Sequence, residues 1–497
     1  MKTFFLRFIL GLGVLVSVNC EAQKPKSHSS NFKISKETTH KIAENQNYTF
    51  GYLQVPENRS TSNSKTIEIP VYIFKSRNPN PQPDPIIYTV GGPGYSTMPS
   101  AQYMKYYRYL DDRDFILVEQ RGNYYAKPHL GCPEWAEAVA KSNHPNFDEQ
   151  QSDQLFNDAA KRCRNRLTNK NIDLNGYNTN EIAADINDLA NALGIEHYNL
   201  LTISYSTKIA QVLLRDYPNR IRSVVMDSPL PLEVSYDEES VLNLLETVKK
   251  VLDDCAHDPD CNAVFPNLKT RFFSFLREKT QNPLTVDIEN PEDGSIETFK
   301  LKGSDLMNIF SLASTSEVSN IPLEINKILE GDLSSVSYYL QSLLKQSPGD
   351  GSGRGMRLSV WCAEEYPFTS QEVVARETNR YPEVAGLSPA ITEASVCDIW
   401  GVKKVSAIEN KAIKTDIPVL LINGEYDELT PIKWAQNMLP NLENSYHIIF
   451  KGWKHTPTTY WDNPCGMEVA NAFFNNPNAK PNPQCFETIE TPKFKTK

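Results

Sequence analysis

The chain is organised around the stretch Leu200-Leu201-Thr202-Ile203-Ser204-Tyr205-Ser206-Thr207-Lys208-Ile209-Ala210, where an apolar run stops at a serine and a helical pattern begins. Residues 197–203 predict a short buried strand, and residues 205–217 place apolar side chains at the spacing of one helix face. A serine between a strand and a helix lies on a sharp turn that exposes its Oγ, and the helix N-terminus stabilises negative charge there. The stretch therefore predicts a nucleophile elbow at Ser204.

A simpler interpretation of the same stretch is that Ser204 only caps the following helix, which is a common role of serine. The stretch also departs from the usual G-x-S-x-G pattern, because Thr202 and Ser206 stand where glycines are expected. Side chains at these two positions need space in a crowded turn. The rest of the chain must decide between the two interpretations.

The composition is that of a globular protein with a substantial core. The chain has 497 residues, of which 40% are hydrophobic and 23% are charged, enough for one large domain with an insertion or for two or three domains. Its formal net charge of -10 and the absence of a basic stripe argue against a nucleic-acid partner.

The N-terminus has the layout of a secretory signal peptide over residues 1–22. Lys2 and Arg7 flank the first apolar patch, a run over 8–16 follows, and small and polar residues precede a cleavage site after Ala22. The apolar run is too short to span a membrane. In the alternative interpretation, Cys20 is the lipid-bearing first residue of a bacterial lipoprotein. Both predict an exported protein, periplasmic or secreted.

The cysteine count supports export, because an even number of cysteines in an exported chain suggests disulfides. Eight cysteines remain without Cys20. Pairing neighbours in sequence is the simplest arrangement, although the sequence does not prove connectivity. A metal site is the alternative, but the chain has no paired C-x-x-C and His257 stands alone beside Cys255, so no metal site is predicted. The simplest pairs are Cys132–Cys163, Cys255–Cys261, Cys362–Cys397 and Cys465–Cys485.

Strands alternate with helices over much of the chain, which indicates an α/β fold with a mostly parallel sheet flanked by helices. Residues 229–407 interrupt this pattern with mainly helical periodicity before strand-like runs return at 417–424 and 445–450. We therefore expect a core over 46–228 and 408–497 with a large helical cap inserted between two strands. Residues 23–45 are polar and are expected to be flexible.

Three residues stand just beyond the carboxyl ends of predicted strands: Ser204, Asp427 and His455. Open α/β sheets place their sites at this edge, and the order Ser, Asp, His is that of α/β-hydrolases. In such a triad, histidine takes the serine proton and the carboxylate holds the imidazole in the right tautomer. Although each residue alone is explained more simply as structural, their joint placement predicts a catalytic triad.

At this point the chain resembles the serine-peptidase branch of the α/β-hydrolases that contains proline iminopeptidases and bacterial tripeptidyl aminopeptidases. The resemblance covers roughly residues 50 to 490, with Val90 replacing the family histidine before the glycines. The segment 255–261, followed by Phe265-Pro266-Asn267-Leu268, resembles the tripeptidyl group, which carries a TAP-like C-terminal region. The matching motifs are Gly91-Gly92-Pro93-Gly94, Glu119-Gln120-Arg121-Gly122, Ile203-Ser204-Tyr205, 424–431 and Trp453-Lys454-His455-Thr456-Pro457.

The resemblance implies an oxyanion hole formed by the backbone N–H groups of Gly92 and Tyr205, and a structural role for Arg121 below the site. Aminopeptidase action also requires a carboxylate that holds the charged α-amino group of the substrate. Glu364 and Glu365, beside Cys362, are the candidates for this substrate contact. The alternative for both acids is a solvated surface position.

The first hypothesis is an exported serine exopeptidase that acts on peptides with a free N-terminus through an acyl-enzyme. The second is a carboxylesterase or another acyl hydrolase on the same fold. The third is a catalytically inactive binding protein, because Thr202, Ser206 and Lys454 depart from the family pattern. No cofactor is expected, because the chain has neither a phosphate-binding glycine motif nor a metal cluster. Oligomeric state and the length of the released peptide are not predicted.

Overall fold

The computed structural model describes residues 31–291, 293–311, 318–345, 351–385, 387, 394–489 and 493–497. The predicted signal peptide over 1–22, with Cys20 and the expected cleavage site, lies outside these residues. Across the described ranges, no helix is long and apolar enough to cross a membrane.

One large sheet and one separate hairpin account for the named strands. The strands are β1 Asn31–Ile34, β2 Tyr48–Pro56, β3 Thr66–Phe74, β4 Ile86–Thr89, β5 Phe115–Val118, β6 Tyr198–Ile203, β7 Ile221–Asp227, β8 Leu284–Glu289, β9 Ile296–Leu301, β10 Val419–Gly424 and β11 Ser445–Phe450. The sheet has nine strands in the order β1-β2-β3-β5-β4-β6-β7-β10-β11, and β8 pairs with β9 in the hairpin.

Helices connect most of these strands. The α-helices are α1 Pro133–Ser142, α2 Glu149–Asn169, α3 Thr179–Ala192, α4 Ser206–Asp216, α5 Tyr236–His257, α6 Pro259–Val264, α7 Leu268–Gln281, α8 Gly303–Ile309, α9 Ile321–Leu329, α10 Ser334–Leu344, α11 Arg354–Glu364, α12 Gln371–Arg380, α13 Ala394–Trp400, α14 Ile432–Met438 and α15 Cys465–Asn475. The short 3-10 helices are Met98–Tyr106, Arg108–Asp111, Leu174–Gly176, Pro218–Arg220, Val318–Asn320, Tyr366–Phe368, Ala407–Asn410, Leu439–Asn441, Pro457–Thr459 and Gln484–Thr488.

The predicted α/β fold is confirmed. Strands β5, β4, β6, β7, β10 and β11 run parallel to one another, and β1, β2 and β3 form the antiparallel end of the sheet, where β3 pairs antiparallel with β5. Every residue of β4, β5, β6 and β10 is buried, as expected for parallel strands that are covered on both faces.

Consecutive residues of the elbow strand point to opposite faces of the sheet, which places the core in two layers. Leu200 joins one apolar cluster with Ile209 of α4, whereas Leu201 joins a second cluster with Phe473 of α15. This alternation follows from the period of two in a strand. It fixes β6 between the helices and thereby fixes the position of Ser204 at its end.

Four strands, β1, β2, β8 and β9, were not predicted from the sequence. Strand β1 lies within the segment 23–45 that we expected to be flexible, and it pairs antiparallel with β2 at the sheet edge. Strands β8 and β9 form an antiparallel hairpin within the mainly helical segment. In β8 only Val286 and Ile288 are buried, so the strand has one short apolar face among longer helical patterns.

The segment expected to form one cap contains two parts with different packing. Helices α5 and α7 to α10 and the β8–β9 hairpin form an apolar cluster of their own around Phe272 and Leu306. Helices α11 and α13 instead contribute Met356 and Trp400 to the main cluster below the sheet. The later part of 229–407 is therefore continuous with the α/β core.

All four predicted disulfides are present. They join Cys132 to Cys163, Cys255 to Cys261, Cys362 to Cys397 and Cys465 to Cys485. Each pairs neighbouring cysteines in sequence, as predicted, and each constrains the unfolded chain.

Arg121 has the structural role that the resemblance implied. Its buried guanidinium binds the Asp185 carboxylate through two hydrogen bonds of 2.7 and 2.6 Å and donates to the carbonyl of Glu57 at 2.6 Å. A paired and hydrogen-bonded arginine is stable in the interior, whereas removal of one partner leaves a costly buried charge. Arg121 therefore joins β2 to α3 below the sheet edge.

Candidate active site

Ser204 lies on a sharp turn between β6 and α4. Its φ angle is +55°, a left-handed conformation that a non-glycine residue adopts at a cost of about 1 kcal/mol. The Ser204 N–H donates to the carbonyl of Asp227 at 2.9 Å, and the Ser204 carbonyl accepts from the N–H and Oγ1 of Thr207. The strained turn is therefore held on both sides, as expected for a nucleophile elbow.

The two residues that depart from the elbow pattern are accommodated by hydrogen bonds. Thr202 Oγ1 donates to the carbonyl of Val225 at 3.2 Å. Ser206 Oγ accepts from the Ile203 N–H at 2.9 Å and lies 2.8 Å from the carbonyl oxygen of Thr89. Both side chains are fully buried. The hydroxyls therefore connect β6 to the strands on either side of it.

The glycine-rich loop after β4 lies directly against the elbow. A Cβ atom on Gly91 would come within 2.7 Å of Ser204 Cβ, so no side chain fits there. Gly92 has a φ of +119°, which favours glycine. In the part of the chain that the structure describes, the N–H groups of Gly92 and Tyr205 donate no hydrogen bond. Both amides are thus available to a ligand.

Asp427 and His455 follow β10 and β11 and are hydrogen-bonded to each other. His455 Nδ1 lies 2.9 Å from both carboxylate oxygens of Asp427. Burial by itself lowers the pKa of His455, but the Asp427 carboxylate outweighs it and raises the pKa above its usual value. The Asp427 side chain is fully buried, whereas that of His455 is 19% exposed. The Nδ1 side of the imidazole is therefore held by Asp427, and the ring remains partly accessible.

The structure brings Ser204 to the same sheet edge without a direct bond to the histidine. Among the described residues, neither Ser204 Oγ nor His455 Nε2 has a hydrogen-bond partner. Catalytic hydrogen bonds are often long or poorly aligned in unliganded sites and tighten when the substrate binds.

Thr430 was not predicted from the sequence, although it follows Asp427 by only three residues. Its N–H donates to Asp427 Oδ1 at 2.9 Å, and its Oγ1 donates to Oδ2 at 2.9 Å. The same Oγ1 lies 3.2 Å from His455 Nδ1. Thr430 therefore helps to set the orientation of the carboxylate.

Asp227 and Ser228, at the end of β7, are further residues that the sequence reasoning missed. Asp227 Oδ2 accepts from the N–H of Thr458 at 2.7 Å, and burial raises the pKa of Asp227 to about 7. Ser228 Oγ accepts from the Thr456 N–H at 2.8 Å. Since the Asp227 carbonyl also accepts from Ser204, this strand end joins the elbow to the histidine loop. The position of Asp227 at the end of a predicted strand was the feature from which the sequence could have identified it.

Glu364 and Glu365 do not occupy the open position that an amine anchor requires. Glu364 accepts from the N–H and Oγ1 of Thr179, both at 2.5 Å, and burial raises its pKa to about 7. Glu365 forms a buried ion pair with Lys208 of α4. Both carboxylates thus have internal partners behind the elbow helix, and neither is a solvated surface charge.

Several known proteins are similar to this chain. The family model described as TAP-like protein matches residues 383–485. The serine protease Hip1 of Mycobacterium bovis is 22% identical over 420 residues, covering 78% of each chain, and Hip1 of Mycobacterium tuberculosis gives the same values.

Solved structures with similar folds include a proline iminopeptidase of Mycobacterium smegmatis, at 16% identity and a TM-score of 0.37, covering 86% of this chain and 98% of that one. An esterase of Exiguobacterium antarcticum has 13% identity and a TM-score of 0.38, covering 82% of this chain and 96% of that one. The assignment rests on the TAP-like match, the Hip1 similarity and the sheet topology. The chain is similar to α/β-hydrolase serine peptidases with a TAP-like C-terminal region, and it is a serine hydrolase.

Proposed function

We propose that the protein is an exported serine exopeptidase, an aminopeptidase of prolyl or tripeptidyl type, with Ser204, His455 and Asp427 as its catalytic triad. The observation that carries this proposal is the His455–Asp427 pair, which lies at the same sheet edge as the strained Ser204 turn. The similarity to a protein described as a serine protease supports a peptide as the substrate.

In the proposed reaction, Ser204 Oγ attacks the carbonyl carbon of the cleaved bond while His455 Nε2 takes the serine proton. Asp427 stabilises the imidazolium that forms and keeps Nδ1 protonated. His455 then gives the proton to the leaving amine, and an acyl-enzyme remains on Ser204. Water, deprotonated by His455, attacks this ester, and the acyl product leaves as His455 returns the proton to Ser204 Oγ.

The amides of Gly92 and Tyr205 are the proposed oxyanion hole. Gly91 supports this assignment, since its missing side chain lets the loop approach Ser204 closely. Removal of one such donor typically slows catalysis by about 10²- to 10³-fold, so the two amides would supply a large part of the rate enhancement.

Action near a chain end is supported by the contacts between the cap and the Asp427 loop. Tyr426 OH donates to Asp254 of α5 at 2.7 Å, and Ser311 Oγ donates to Glu428. The apolar cap cluster includes Tyr426 itself. A cap that packs on a catalytic loop restricts how much folded substrate can approach, which favours short peptides and free ends.

Export is supported by the four disulfides, which persist in oxidising compartments. The signal-peptide pattern over 1–22 points the same way. A lipid anchor at Cys20 remains the alternative to a secreted or periplasmic form.

The test is hydrolysis of matched chromogenic peptides, one to three residues long, with free or acetylated N-termini. Ser204→Ala is the control for contaminating hydrolases. Cleavage of the free peptides alone, lost in Ser204→Ala, is the expected result and gives the length of the released unit.

Cleavage of acetylated peptides or simple esters instead would assign the chain to the general acyl hydrolases. A fluorophosphonate probe addresses the inactive alternative, because it labels only an activated serine. Failure of wild-type protein to react with the probe at Ser204 would overturn the proposed triad.

A further inference from the structure

Two arginines of α11 near the proposed oxyanion loop have no carboxylate partner among the residues that the structure describes. Arg357 Nη1 lies 3.4 Å from the carbonyl oxygens of Gly92 and Pro93. Arg354 lies one turn earlier on the same helix, 4.9 Å from the centroid of the Trp135 ring. Among the described residues, neither guanidinium forms an ion pair, unlike Arg121 and Arg59, which bind several acids below the sheet.

Both residues are partly buried. Arg357 Nε is buried and has no hydrogen-bond partner within the described part of the chain. Burial lowers the pKa of Arg357, and burial together with the charge of Arg357 lowers the pKa of Arg354 to about 9. A partly desolvated cation without a carboxylate partner is costly, so an arriving anion would recover part of that cost.

Among the described residues, no acidic group near Arg357 forms an ion pair with it. Asp237 acts on Arg357 only at longer range, and its Oδ2 accepts from the Trp361 indole at 3.0 Å. Trp361 in turn lies 5.6 Å from the Arg357 guanidinium, centroid to Cζ. Tyr95, which is 67% exposed, follows the glycine loop on the solvent side. Arg357 therefore lies against the glycine loop, and its Nε donates no hydrogen bond within the described part of the chain.

The position of the pair limits which part of a substrate it can reach. Arg357 contacts the carbonyl of Gly92, whose N–H is a proposed oxyanion donor. One extended residue spans about 3.5 Å, so a group at this site belongs within a few residues of the cleaved bond. The fork of N–H donors on arginine matches the two oxygens of a carboxylate.

We infer that Arg354 and Arg357 form a carboxylate-binding subsite of the candidate active site, which gives the enzyme a preference for peptides with a carboxylate near the cleaved bond. This inference rests on the proposed peptidase function. The carboxylate comes either from an acidic side chain or from the free C-terminus of a short peptide, and both sources present the same chemistry to the guanidinium groups.

The experiment compares kcat/KM for matched substrates. Peptide nitroanilides with Glu or Gln at each position test the side-chain source, and quenched peptides with free or amidated C-termini test the terminal source. The variants are Arg357→Gln, Arg357→Lys and Arg354→Gln. The control is Arg376→Gln on α12, because Arg376 is exposed and pairs only with the neighbouring Glu377.

Wild-type protein is expected to favour one carboxylate-bearing member of a pair by about tenfold or more, as for charge-assisted recognition in other sites. The ratio of the two kcat/KM values is expected to fall to near one in Arg357→Gln and to an intermediate value in Arg357→Lys. It is expected to be unchanged in Arg376→Gln. If Arg357 only positions the glycine loop, both members of the pair slow equally and the ratio survives. A surviving ratio, or no preference in wild type, overturns the inference.

Binding to Ser204→Ala separates this inference from the proposed function. Calorimetry with the same uncleaved peptides measures carboxylate recognition without turnover. Equal affinities for the Glu and Gln or the free and amidated peptides overturn the subsite even if wild-type protein cleaves them. A difference of about tenfold supports the subsite even if the cleavage assay fails. Thermal unfolding of Arg357→Lys checks that the variants are folded.

Discussion

His455 Nδ1 lies 2.9 Å from both carboxylate oxygens of Asp427, although the two residues follow different strands of the sheet. The same carboxylate accepts from the N–H groups of Leu429 and Thr430 and from Thr430 Oγ1. The carboxylate is therefore held by its own loop as well as by the histidine. This relationship makes Asp427 the orienting member of the proposed triad.

Asp427→Asn is expected to reduce kcat by about 10⁴-fold with little change in fold, because an amide favours the wrong imidazole tautomer. Steady-state hydrolysis of the best peptide and thermal unfolding measure the two effects. Asp462→Asn, at an exposed position, is the matched control. A variant at Asp427 that retains near wild-type kcat would remove this residue from the proposed triad.

The acid limb of kcat/KM is expected to have its midpoint above pH about 6.5, the usual pKa of histidine. Protonated His455 cannot accept the Ser204 proton, and Asp427 raises the pKa of His455 despite the opposing effect of burial. Activity should thus fall as the pH drops through this raised value. A pH profile between about 5 and 9 measures it.

The titration of Asp227 must be distinguished from that of His455 in the pH profile, since burial raises the pKa of Asp227 to about 7. The limb should persist in Asp227→Asn if His455 causes it. A midpoint well below pH about 6 in the wild type would contradict the assignment.

Ser206→Ala is expected to lower the free energy of unfolding by about 1–3 kcal/mol, because it leaves the buried Ile203 N–H without its acceptor. It should also lower kcat, since Ser206 joins β6 to the strand before the glycine loop. Urea unfolding and peptide hydrolysis check both. Ser342→Ala on α10 is the control, and equal effects in the two variants would mean that the Ser206 contacts have no special role.

Gly91→Ala is expected to reduce kcat by about 10²-fold or more, because the added methyl group would displace either Ser204 or the proposed oxyanion loop. Kinetics on the best peptide measure the change. Gly194→Ala is a useful comparison, since its methyl would meet no atom within 4 Å while its φ of +65° still strains the backbone. Normal kcat in Gly91→Ala would show that the loop is not catalytic.

Glu365→Gln is expected to lower the free energy of unfolding by about 3–5 kcal/mol, because Lys208 would remain as a buried cation without its partner. Both side chains are almost fully buried, at 3% and 4% exposure. Urea unfolding measures the loss, and Glu377→Gln, at a surface pair on α12, should cost far less. If Glu365→Gln instead is stable and fails only on peptides with a free N-terminus, Glu365 is the substrate anchor that the sequence suggested.

The sequence by itself predicted the strands of the parallel part of the sheet, the order of the proposed triad residues and the simplest set of disulfide pairs. These features depend on local patterns, namely apolar runs that end at Ser204, Asp427 and His455, and cysteines that are close in the chain. The hairpin Leu284–Glu289 and Ile296–Leu301 was missed because each strand buries only one short face among helices.

Only the tertiary structure decided which side chains meet across these elements. In the folded chain Glu365 forms an ion pair with Lys208, Glu364 accepts hydrogen bonds from Thr179, and Arg357 contacts the carbonyl of Gly92. It also turned Thr202 and Ser206 from apparent defects into hydrogen-bonded parts of the elbow. Periodicity and motif spacing report which face of an element is buried, but the partner of a buried polar group depends on contacts between residues that are distant in sequence.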